Sequence, residues 1–195
     1  MSLPFAAGAA SQTGMNVMAT AWQIRLEAPQ DADGIEALSA ESFGPGRFAK
    51  ASYRLREGVH PVPALSFVAI EDGVLRGSVR FWPVTVGGHP ELLLGPLAVQ
   101  GDQRGRGIGI SLMQAGIEAA RKGPWRGILL VGDEPYYTRV GFARLPPGRV
   151  RFPGPVDQNR ILGLSLKAGE LLNLSGEVRR ARIDDPVCAA GAGVG

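Results

Sequence analysis

The segment LLLGPLAVQGDQRGRGIGISLM, residues 92–113, most constrains what this chain can fold into. An apolar strand runs into a polar glycine/arginine loop, Gln100–Gly107, and then into a helix expected over about Ile108–Lys122. Leu112, Met113, Ile117 and Ala120 fall on the apolar side of that helix. The first turn of a helix has unpaired amides and a partial positive charge, so it can receive an anion such as phosphate. Gly105, Gly107 and Gly109 let a ligand approach the backbone, and Arg104 and Arg106 add planar cationic donors. Spacing rejects two nucleotide loops. A G-x-G-x-x-G pattern would need glycine where Ile110 or Leu112 stands, and a P-loop needs a Gly-Lys pair, which the chain lacks. Pro96 is the second constraint, because proline cannot donate to a sheet ladder. The strand is therefore expected to part from a neighbour near Gly95-Pro96, freeing backbone groups for an extended ligand. A plain hairpin edge with a glycine-rich turn is the alternative.

A length of 195 residues fits one compact domain. Hydrophobic and charged fractions of 45% and 20% exclude collagen-like, coiled-coil and wholly disordered chains. The net charge of +3 is unevenly spread, since residues 101–182 hold 14 basic and 7 acidic side chains. That half is expected to prefer an anion. One cysteine, Cys188, and two histidines allow neither an internal disulfide nor an ordinary zinc ligand set, so no metal is expected. The apolar run Leu92–Val99 is far too short to span a bilayer, and residues 1–20 contain no Lys or Arg, unlike a secretory signal. A cytoplasmic protein without membrane contact is the expectation. Nucleic acid is not expected either, for want of a helix-turn-helix or aromatic RNA-binding pattern. Residues 1–21 read as a disordered extension or cloning remnant, 22–183 as the domain, and 184–195 as a disordered tail.

Trp22, Ile24 and Leu26 alternate with polar residues as in a half-buried strand. Asp33 and Glu36 stand at capping-box spacing ahead of a helix with Ile35, Leu38 and Phe43. A second helix is expected over about Arg47–Glu57. Ser66–Glu71 and Val74–Val86 form strands joined at Asp72-Gly73, and Gly87-Gly88-His89-Pro90 turns the chain into Glu91–Val99. Gly127–Val131 is wholly apolar, as a central strand covered on both faces would be. A short helix over Pro135–Val140 follows, ending at Gly141, with strands near Phe142–Leu145 and Ile161–Leu166.

Arg104, Gly107 and Gly109 match the pattern (Q/R)-x-x-G-x-(G/A), and VGDEPYYTRVGF, residues 131–142, carries Tyr137, Gly141 and Phe142 as Tyr-x-x-x-Gly-Phe. Over about residues 22–167 the chain resembles the GCN5-related N-acetyltransferase superfamily. FGPGRFAKASYRLREG and LVGDEPYYTRVGF further resemble a bacterial branch whose substrates are unassigned. The resemblance implies an α/β (α+β) fold with a mixed, mostly antiparallel sheet flanked by helices. That sheet would splay between Glu91–Val99 and Gly127–Val131 to take acetyl-CoA. The backbone of Leu97, Ala98 and Val99 would pair with the pantetheine arm. Amides of Arg104, Gly105, Arg106, Gly107, Ile108 and Gly109 would hold the pyrophosphate. Tyr137 would be the general acid for the departing thiolate as a primary amine, on a small molecule or a protein, attacks directly. A non-catalytic acyl-CoA sensor is the alternative, and either would be a monomer or homodimer.

The base is not legible. Where some members carry a glutamate, eleven residues before the Arg104 position, this chain has Leu93. Asp133 and Glu134 could take a proton, although Asp133 is expected to cap the short helix, and Glu91 and His89 are expected to be solvated at a turn. Tyr136 reads as packing or a substrate wall. Arg139, Arg144, Arg149 and Arg151 read as a solvated face, with contact to the CoA 3′-phosphate as the sharper alternative. The acceptor pocket is expected from the helix pair at Ile35–Glu57 and the segment after Phe152.

Overall fold

The computed structural model describes residues 21–46, 51–169 and 174–189. The disorder expected of residues 1–20 and 190–195, and the first turn of the helix expected from Arg47, lie outside the described residues. Within them the strands are β1 (Gln23–Leu26), β2 (Phe67–Glu71), β3 (Val74–Val86), β4 (His89–Val99), β5 (Gly127–Val131), β6 (Ala143–Arg144), β7 (Val150–Arg151), β8 (Ile161–Ser165) and β9 (Gly176–Arg180). The helices are α1 (Ala32–Phe43), α2 (Ala51–Arg54), α3 (Ile108–Arg121), α4 (Glu134–Tyr137) and α5 (Pro186–Ala189).

One sheet runs in the order β1-β2-β3-β4-β5-β8-β6, antiparallel except where β4 meets β5. Asp72 and Gly73 take φ of 52° and 75°, the two positive values that a tight hairpin matched to strand twist requires. β5 is covered on both faces, as its apolar run implies. Ile128 and Leu130 enter one core with Leu92, Leu94 and Phe81, while Leu129 enters a second with Leu93, Trp82 and Val84. Leu112, Met113, Ile117 and Ala120 of α3 fill the first core. The helix sits close because residue 116 is glycine: a Cβ there would lie 2.3 Å from Phe81 Cε2.

Several expectations are corrected. The Asp33/Glu36 capping box does not form. Asp31 is the N-cap of α1, and its carboxylate instead accepts from the Ala28 amide (2.8 Å) and Arg25. Leu26 is exposed, so β1 is less amphipathic than its alternation suggested. Among the described residues the second helix is regular over Ala51–Arg54, so it ends before the expected Glu57. Glu91 is not solvated at a turn; it lies inside β4, opposite Val84, and is 1% exposed. β7 and β9 pair with each other, and β9 also pairs with the far end of β3; neither was anticipated. In the stretch read as a tail, α5 turns through a Cys188 N–H to Asp185 C=O bond and buries the cysteine in the first core.

Candidate active site

The site begins with a fault in β4. Val79 pairs with Leu97 and Phe81 with Leu94, so β4 carries one extra residue around Gly95-Pro96. Trp82 Nε1 donates to the Gly95 carbonyl at 2.6 Å and holds the bulge from β3. On its other side β4 pairs with β5 only at Leu92↔Ile128 and Leu93↔Leu129. From Leu94 to Val99 that edge has no strand partner among the described residues, so the two parallel strands diverge. The sequence reading of Pro96 is met in place and in kind.

Past the opening, the loop leads into α3. Gly107 is the N-cap, with φ of 99°, and no side chain caps the helix. Among the described residues, the amides of Gly105, Arg106 and Gly107 donate no backbone hydrogen bond. A 14-residue helix thus presents its positive end, unsatisfied, to the opening. The donor set suits a pyrophosphate: backbone N–H groups, with the Arg104 side chain exposed beside them. Arg106 is different. Its guanidinium grips both oxygens of Glu71 at 2.7 and 3.0 Å and lies 5.4 Å from the Trp22 ring centre. That contact holds the Glu71 carboxyl below the usual carboxylate range. The Arg106 side chain braces the loop against β2 rather than facing the opening, so only its amide remains available.

Beyond β5, the chain enters α4 and then a tight turn closed by Gly141 at φ 92°. That turn brings Phe142 back so that its N–H meets the Tyr137 carbonyl at 3.3 Å and its ring meets Tyr137 edge-on at 6.0 Å. The Tyr-x-x-x-Gly-Phe spacing is thus a device for seating one tyrosine. Burial pushes the Tyr137 hydroxyl up to about 12, with the charges of Tyr136 and Asp133 adding and those of Arg160 and Arg56 opposing. It therefore stays protonated at neutral pH. Asp133 does not cap α4 with its side chain; it pairs with Arg160 at 3.0 Å. Glu134 is hydrogen-bonded to Arg144.

Two cavities meet here. One, about 420 Å³, is lined by Leu97, Ala98, Val99, Arg104, Gly105, Gly107, Ile108 and Gly109, together with Tyr136, Tyr137 and Arg139. It gathers every residue expected at the cofactor site except Arg106. The other, about 400 Å³, lies on the far side of Tyr137 between α1, residues 52–58 and strands β3 to β5. Phe43, Leu97 and Tyr137 line both. The second cavity takes in Glu36 and Arg56, within the helix pair expected to shape it, and Trp82, which sequence reasoning missed; among the described residues none beyond Tyr137 lines it. The described residues after Phe152 therefore do not shape it. Arg139 alone of its basic cluster reaches the first cavity, 6.0 Å from the Tyr136 ring centre. Leu93 is fully buried on the Trp82 side of the sheet, so no carboxylate reaches the site from that position. The described residues contain no cluster able to hold a metal ion and no helix long and apolar enough to cross a membrane.

The model of the acetyltransferase (GNAT) family matches residues 32–142. An Escherichia coli protein described as the uncharacterized N-acetyltransferase YhbS is 37% identical over 136 residues, which are 67% of this chain and 80% of that one. The crystal structure of E. coli YhbS in complex with CoA superposes with a TM-score of 0.69 at 31% identity, covering 84% of this chain and 91% of that chain. A Brucella melitensis GNAT-family acetyltransferase in complex with acetyl-CoA gives 0.63 at 28% identity, covering 84% and 97%.

Proposed function

The chain belongs to the acetyltransferase (GNAT) family and is an N-acetyltransferase, and from that premise we propose that it moves an acetyl group from acetyl-CoA to a primary amine by direct attack across Tyr137. The observation that carries this reading is the meeting of two cavities of similar size at one partly buried, protonated tyrosine. The similar proteins solved with CoA and acetyl-CoA support placing the donor in the first cavity.

The unpaired edge of Leu97, Ala98 and Val99 offers backbone groups to the pantetheine arm, as an added strand would use them. The free amides from Gly105 to Gly109 and the Arg104 side chain face the pyrophosphate. The amine enters from the second cavity and its lone pair forms a C–N bond to the thioester carbonyl carbon. The C–S bond then breaks, and the sulfur takes its proton from Tyr137 Oη. The nitrogen sheds a proton toward Glu36 or Glu57, the carboxylates lining that cavity, directly or through water. Asp133 and Glu134 drop out as bases, because both are engaged with arginines away from the acceptor cavity.

Thermal shift with CoA esters and release of CoA thiol on a panel of amines test the reading. Tyr137→Phe is expected to bind acetyl-CoA as the wild type does while turnover falls by about 10²–10⁴-fold. Unchanged turnover removes the acid role. Stabilisation by acetyl-CoA with no thiol release on any amine turns the protein into a sensor, and no stabilisation by any CoA ester overturns the proposal.

A further inference from the structure

We propose that the amine acetylated by this enzyme also carries a carboxylate, and that Arg56 receives that carboxylate on the acceptor side of Tyr137. The inference rests on the acetyl-transfer reading above and names its substrate class. Arg56 lies two residues past α2 and lines the second cavity but not the first. Its Nε is buried with no hydrogen-bond partner, and no carboxylate of the described residues pairs with its guanidinium. Its neighbours are the Trp82 ring, whose centre is 5.9 Å away, and the β4 bulge. There Nη2 lies 2.9 Å from where a Cβ on Gly95 would stand.

Two other arginines are treated differently. Arg80, in the same cavity, donates to both oxygens of Glu27 at 2.8 and 2.5 Å, and Arg106 grips Glu71 in the same forked manner. Arg56 is partly buried, its Nε wholly so, without a counter-charge, at a cost that a paired anion offsets. Burial depresses its pKa to about 10, which still leaves it cationic at neutral pH. A planar guanidinium prefers a two-oxygen anion, and a carboxylate matches it. The remaining walls describe the rest of the molecule. Trp82, Leu94 and Leu130 are apolar, whereas Glu36 and Glu57 suit an ammonium group. An amino carboxylate with an apolar body fits all three.

The test compares L-phenylalanine with L-phenylalaninamide, and leucine with leucinamide, as acceptors under saturating acetyl-CoA. Wild-type kcat/KM is expected to favour the free acids by about 30-fold or more. Arg56→Gln should bring acid and amide to within about threefold of each other without changing the Kd for acetyl-CoA, and Arg56→Lys should restore part of the preference. Equal use of acids and amides overturns the proposal, as does a preference that survives Arg56→Gln. An Arg56-dependent preference for succinyl-CoA over acetyl-CoA, with amide acceptors, moves the anion to the acyl group and also overturns it. Calorimetry of N-acetylphenylalanine and its amide on the CoA-loaded protein decides the matter without turnover. Tighter binding of the acid, lost in Arg56→Gln, supports the proposal, and equal binding overturns it. Absence of turnover with every amine would instead count against acetyl transfer. Should the glutamine variant not fold, the wild-type comparison and the lysine variant still decide.

Discussion

At the residue scale, the chemistry turns on where a proton can sit. A tyrosine raised to about 12 by burial holds its proton through the neutral and mildly alkaline range, as a general acid must. The sign follows directly: activity that needs the protonated hydroxyl is intact below the raised value and fails only as pH climbs toward it. The kcat–pH profile is therefore expected to show no descending limb due to Tyr137 below about pH 10. A limb centred lower than that, and abolished in Tyr137→Phe, would contradict the assignment. The neighbouring Tyr136 makes a different prediction. The family pattern tolerates alanine at the position of Gly109, but here a Cβ would stand 2.2 Å from Tyr136 Oη, while the next ring atom, Cζ, is 3.5 Å away. The obstruction is the hydroxyl alone. Gly109→Ala should weaken acetyl-CoA binding by displacing Tyr136 from the cavity wall, and Gly109→Ala with Tyr136→Phe should recover most of the loss. A titration of acetyl-CoA against both variants checks this, and equal weakening in the two would refute it.

At the element scale, α3 does two jobs: its uncapped first turn faces the opening, and its middle is pressed onto β3. The second job is set by Gly116, whose hypothetical Cβ would fall 2.3 Å and 2.5 Å from two atoms of the fully buried Phe81 ring. Alanine normally stabilises a helix interior over glycine by about 1 kcal/mol. Here the overlap should win, so Gly116→Ala is expected to destabilise the fold by about 1–3 kcal/mol in urea unfolding. Stabilisation would mean that the helix can lift off the strand without cost. This pairing also separates what could be read in advance from what could not. α3 was legible because one face repeats every three to four residues, and β2 and β3 because Asp72-Gly73 fixes the hairpin between them. The cap of α1 was misread, since Asp31 and Asp33 offer the same local chemistry and only the distant Arg25 selects one. Glu91 follows His89-Pro90 and reads as part of a turn, yet the register of β4 against β3 carries it inside. β9 was invisible because its partners, the end of β3 and β7, come from far along the chain.

At the scale of the whole molecule, the first cavity was legible residue by residue, whereas of the second only the helix pair at 35–57 was, for the same reason. The donor residues lie on two short stretches, 97–109 and 136–139, where spacing records the geometry. Arg56, Trp82 and Phe43 come together only when α1, the turn after α2 and the sheet have assembled. Part of the basic second half is likewise spent in ion pairs: Arg106 with Glu71, Arg121 with Glu118, Arg160 with Asp133, Arg179 with Glu177. Arg104 and Arg139 are the arginines left lining the donor cavity. What the assembled molecule adds is simultaneity. On the proposed reading, two cavities that share Phe43, Leu97 and Tyr137 would hold donor and acceptor at once, with the tyrosine between them. Cys188 is no candidate for a covalent relay, because α5 packs it into the core and burial pushes its thiol up to about 11, where it is not a thiolate at neutral pH. Initial-rate data with both substrates varied should therefore give intersecting double-reciprocal lines, as a ternary complex requires, and Cys188→Ala should retain turnover. Parallel lines, or an acetylated protein isolated after mixing with acetyl-CoA alone, would show the acetyl group resting on the enzyme and would exclude direct attack.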